Sequence, residues 1–130
     1  MRSPLSYFLI VLFVAACQTT PGGGRERLAP GDHITQQELQ ELNDIQVLTA
    51  RQAIRRLRPT WLRPRSSTAR GRHTPVVFRD GMEVGDLTTL DEMDIREIME
   101  FRYLSASDAT NRYGTGYPGG VILVTSRRGG

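Results

Sequence analysis

The chain has 130 residues, enough for one domain at most. All 17 basic residues are arginine, set against 14 acids, and the resulting +3 is too small and too evenly offset to mark a nucleic-acid binder. A hydrophobic fraction of 38% fits a small folded domain with an apolar leader and argues against disorder as the default state.

The leader comes first in chain order. Arg2 supplies a positive start, Leu5 to Ala16 are apolar except for Ser6, and Val14-Ala15-Ala16 leads into Cys17, the single cysteine. A helix over that stretch reaches about 18 Å, short of the ~30 Å hydrocarbon core, so the pattern is a secretory signal rather than a span. One cysteine excludes an intrachain disulfide and a thiolate metal cluster. The placement of Cys17 resembles the lipobox of bacterial lipoproteins. That resemblance implies cleavage before Cys17, diacylation of it and stable membrane anchoring through it. The alternative is a plain signal peptide cut near Ala16. The expected organisation is a signal peptide over 1–16, a lipidated flexible tether over 17–32, rich in Thr, Pro, Gly and Arg, and a domain over 33–130.

Within the domain, Thr35-Gln-Gln-Glu38 is a capping-box pattern that opens a short helix through Leu42. Thr49-Ala-Arg-Gln52 opens a second one, with Ala53, Ile54 and Leu57 on one stripe, and Pro59 ends it. Trp61-Leu62 reads as a short extended piece, and 63–74 as an exposed arginine-rich loop. Val76 to Val84 is strand, turn and strand about Asp80-Gly81, a strong short-range hairpin signal. Leu87 to Ile98 reads as a short helix and a turn, and Met99 to Leu104 as a strand. Ser105-Ala-Ser-Asp108 opens a third helix to about Arg112. Gly114, Gly116, Gly119 and Gly120 then precede a last strand over Val121–Ser126. Gly114 is expected to end the helix in a left-handed turn, and Gly119-Gly120 to let the strand enter the sheet past another backbone. Gly116 has no assigned duty. Interleaved strands and helices define a small α+β fold, a mixed sheet with short helices packed on it.

Chemistry-bearing patterns are sparse. His33 and His73 are the only histidines and lie at no metal-binding spacing. Ser66-Ser67-Thr68 lacks a nucleophile-elbow context, and Gly114-x-Gly116 precedes a strand, the wrong order for a phosphate cradle. Asp91, Glu92 and Asp94 read as a solvated face. No catalytic residue, cofactor or metal is therefore assigned. Charge is blocked more strongly: 51–79 holds nine arginines and no acid, and 80–100 eight acids and one arginine. Such blocks pair with each other and with solvent, or else Arg63, Arg65, Arg70 and Arg72 reach an acidic partner such as lipid head groups.

Residues "PVVFRDGMEV" and "LDEMDIREIMEFRYLSASDATNRYGTGYPGGVILVTSRRG" resemble the second half of the plug domain of TonB-dependent outer-membrane receptors. The matching positions are Asp80-Gly81, Asp94-Ile95-Arg-Glu-Ile98, Ala109, Tyr113-Gly114 and Gly119-Gly120-Val121-Ile122. The paired helices upstream resemble the start of that domain more loosely, so the resemblance covers about 33–128. It implies a plug-like fold and a non-catalytic interaction or accessory role at the outer membrane, facing the periplasm. The implied partners are the membrane, through Cys17, and a receptor barrel or energising protein, with no nucleic acid. Because a transmembrane barrel needs at least eight strands of about nine to eleven residues, a plug without a pore is expected. The alternatives are a small-ligand-binding module serving a separate barrel, and a small envelope hydrolase.

Overall fold

A computed structural model describes residues 31–42, 49–65, 67–68 and 71–127. The signal peptide, Cys17, the tether up to residue 30, and Arg70 lie outside the described residues. The elements are β1 (His33–Ile34), α1 (Gln36–Leu42), α2 (Ala50–Leu57), β2 (Ser67–Thr68), β3 (Gly71–Arg72), β4 (Val76–Arg79), β5 (Met82–Gly85), β6 (Ile98–Leu104), α3 (Ala106–Tyr113) and β7 (Val121–Ser126). The α+β expectation holds: a five-stranded mixed sheet in the order β1-β6-β7-β4-β5 carries the helices.

Local signals set the helix starts. The Thr35 and Glu38 side chains exchange hydrogen bonds with each other's backbone N–H ahead of α1. Thr49 and Gln52 form the same reciprocal box at α2. At α3 the Ser105 hydroxyl accepts from the Asp108 N–H. Each box satisfies amides that have no intrahelical acceptor. Glu38 feels burial, which would raise its pKa, but the Thr35 amide and the Arg58 guanidinium outweigh it and hold the carboxyl below its usual range.

The last strand, β7, is the centre of the sheet. It pairs antiparallel with β6 and parallel with β4, from Val76 opposite Val121 to Arg79 opposite Val124. Alternation along β7 then divides the core. Ile122 and Val124 face one cluster with Ile34, Leu39, Ile54, Trp61, Val77, Phe101 and Tyr103. Val121 and Leu123 face a second with Phe78, Leu104, Ala109, Tyr113 and Tyr117. The helices α1 and α2 thus cover the first face and α3 the second, giving three layers. A bulge between Ile98 and Glu100 keeps Ile98 and Phe101 on the first face, and turns Glu100 and Arg102 toward the second.

Several expectations are corrected. Pro59–Leu62, expected to be extended at Trp61-Leu62, is a turn of 3-10 helix. Trp61 is 1% exposed there, stacks on Tyr103 at 5.7 Å, and donates its indole N–H to the Gly31 carbonyl at 3.2 Å. The 63–74 segment is not all loop: β2 and β3 form an antiparallel ribbon, Ser67 opposite Arg72. Leu87 to Ile98 is two 3-10 turns, Leu87–Asp91 and Ile95–Glu97, rather than one helix and a turn. Asp86 and Asp94 cap them by accepting from the Thr88 and Arg96 amides. Hydrogen bonds from the Arg96 side chain and amide hold the Asp94 carboxyl down at about 2. β1 pairs with β6, which places His33 in the sheet opposite Arg102.

Candidate functional site

Helix α3 covers only part of the second face. It packs Ala109 and Tyr113 over Phe78 and Val121, and Phe78 stacks on Tyr113 with ring centres 4.5 Å apart. Beyond α3 the sheet stays open, and a groove of about 260 Å³ runs between the helix and the strands. Phe78, Leu123 and Val124 are its apolar members. Arg112 and Tyr113 come from α3, Glu100 and Arg102 from β6, Thr125 from β7, and Asp80-Gly81 from the hairpin turn.

The groove's two acids are held by the protein. Glu100 Oε2 lies 2.9 Å from His33 Nε2, and Asp80 Oδ1 accepts from the Ser126 amide at 2.8 Å. Arg102 Nε lies 3.1 Å from Glu100 Oε1 but is buried and out of line for a hydrogen bond. Arg102 otherwise has no polar partner among the described residues, and its side chain is 41% exposed. The Arg112 guanidinium lies 5.5 Å from the centre of the Tyr113 ring. These groups can hold a small ligand by charge and by an apolar contact. Among the described residues, no group of three His, Cys, Asp or Glu side chains could bind a metal.

The residues singled out from the sequence fall elsewhere or serve the backbone. Asp80 and Gly81 have φ of 51° and 87°, the positive pair that a two-residue hairpin turn of matching twist requires. Gly114 does end α3, but with φ 87° and ψ −172°. That is an extended mirror-image conformation open essentially to glycine alone, not the left-handed helical turn expected. Gly116, given no duty, also has positive φ, 131°. At Gly119 a Cβ would overlap the Thr74 carbonyl group, and at Gly120 it would overlap the Tyr103 hydroxyl and the Leu104 carbonyl. The last strand therefore passes close to other backbone at Gly119 and Gly120.

Arg63 and Arg65 are exposed and do not line the groove. The Arg65 guanidinium sits 4.4 Å over the Tyr103 ring, and the Arg65 amide donates to the His73 carbonyl at 3.4 Å. Arg65 thus pins its own loop through a cation–π contact. Burial pushes the Tyr103 phenol above its usual range, against the pull of Arg65. Arg72 lies in β3. The charge blocks pair in part with each other: Arg51 with Asp91 at 2.6 Å, and Arg79 with Glu97 at 3.3 Å.

Sequence reasoning did not single out Arg102, Glu100 or Arg112, and it named Tyr113 only as part of the resemblance. The available signal was Glu100-x-Arg102 inside an alternating strand, which places two charges on the face opposite Phe101 and Tyr103. No protein-family model, no curated protein and no solved structure matches the chain.

Proposed function

We propose that this protein is a lipid-anchored, plug-like module at the outer membrane, facing the periplasm. It acts without catalysis, by contact with other envelope proteins, in association with TonB-dependent uptake. Supporting the reading is the use the fold makes of the residues that carry the resemblance. Asp80-Gly81 makes the hairpin turn, Asp94 caps the 3-10 turn into β6, and Gly114 ends α3. Gly119 and Gly120 clear neighbouring backbone at the entry to β7. Their duties are those of a scaffold, which suits a module recognised by its shape. Strand β5 closes one end of the strand order, and its Met82 is 71% exposed. An edge of that kind is a ready surface for another protein.

The test is affinity capture of the full-length chain from detergent-solubilised outer membranes, with captured proteins identified by mass spectrometry. A receptor barrel or an energising protein of the uptake machinery is the expected prey. Capture of neither, in cells actively taking up a substrate through such receptors, refutes the proposed role.

A further inference from the structure

We propose that the groove between α3 and the open part of the sheet binds a small carboxylate with an apolar body. The inference does not depend on the anchored interaction role, and it concerns a different surface from the β5 edge. The site's electrostatic demand follows from which of its charges are already engaged. Asp80 accepts from the Ser126 amide at 2.8 Å, and Glu100 is held by His33 at 2.9 Å. Arg102 is ion-paired only through its Nε, 3.1 Å from Glu100 Oε1, and its terminal nitrogens bond to no described residue. A guanidinium presents paired N–H donors in a fixed fork, which matches the two oxygens of a carboxylate.

The remaining lining selects the rest of the ligand. Phe78 and Leu123 are apolar, and the Tyr113 ring stands beside them. A volume of about 260 Å³ lies near the lower end of ligand sites, so the body is a single ring or a branched chain. A monoanion is favoured over a phosphate dianion because the Glu100 carboxylate lies 3.1 Å from Arg102 and repels added negative charge.

Benzoate is the probe, with its neutral isostere benzamide and inorganic phosphate as comparisons. Binding to the full-length chain in detergent is followed by isothermal calorimetry against a micelle blank. Benzoate should bind about tenfold more tightly than benzamide or phosphate, since each tenfold is one charge-assisted contact of ordinary strength. Arg102→Gln should erase that preference without lowering the melting temperature. If Arg102→Gln fails to fold, Arg102→Lys, which keeps the charge but loses the paired donors, should weaken the same preference. Equal affinity for benzoate and benzamide, phosphate binding as tight as benzoate, no binding at all, or an unchanged preference in the folded variant would each overturn the proposal.

Discussion

Gly114, Gly116, Gly119 and Gly120 differ in what a side chain would meet. At Gly114 and Gly116 nothing lies within 4 Å, so the cost of a Cβ is conformational, from φ of 87° and 131°. At Gly119 the obstacle is the Thr74 carbonyl, backbone that cannot swing aside. Gly120 combines both problems, with φ of 84° and the Leu104 carbonyl in the way. Gly114→Ala and Gly116→Ala should therefore each cost roughly 1–3 kcal/mol in urea unfolding. Gly119→Ala and Gly120→Ala should cost clearly more, because the entry to β7 must move. Gly31→Ala is the neutral control, with open space around it and no positive φ. Equal losses at all four positions would mean that close backbone approach does not limit the strand.

At the scale of elements, the short helices depend on the core for their stability. Eight residues make too short a helix to persist alone in water, even behind a complete capping box. What holds α2 is Ala50, Ala53 and Ile54, each 0% exposed in the core cluster that the helix shares with the sheet and the 3-10 turns. Leu57, expected beside them, is only partly buried at the core's edge. Ile54→Ala should accordingly cost ~2–5 kcal/mol, measured by urea unfolding, while the α3 side of the sheet keeps its packing. A loss near zero would place that face of α2 in solvent. The Arg51–Asp91 pair adds little, since Asp91 is half exposed and such pairs are screened.

For the whole molecule, the proposed role needs a means of attachment to a membrane. No helix among the described residues is long and apolar enough to cross one. Under the proposed anchoring, acylation of Cys17 supplies the affinity, because two buried acyl chains hold a protein where one does not. Cys17→Ser should move the protein from the membrane pellet to the soluble fraction after a high-salt wash, with its melting temperature unchanged. Retention in the pellet would assign the attachment to the folded domain instead.

At the three helix starts and the hairpin turn, where the determining interaction is local, the residues themselves announced it. Thr35, Thr49 and Ser105 each reach an amide three residues away, so their patterns locate three helix starts without the rest of the fold. Asp80-Gly81 is the same case, since a two-residue turn of positive φ admits few other pairs. The Trp61 turn could not be read in this way. Its conformation is held by Tyr103 and by the Gly31 carbonyl, thirty or more positions distant. The same holds for the centrality of β7, which is fixed by a parallel partner in β4 and an antiparallel one in β6. The groove lies furthest from the sequence. Arg102 and Glu100 look like solvated strand charges until the bulge after Ile98 sets their face, and until α3, stopping at Tyr113, leaves that face open. Local hydrogen-bond chemistry settled the helix starts and the hairpin turn, and long-range packing decided the Trp61 turn, the place of β7 and which polar side chains share a cavity.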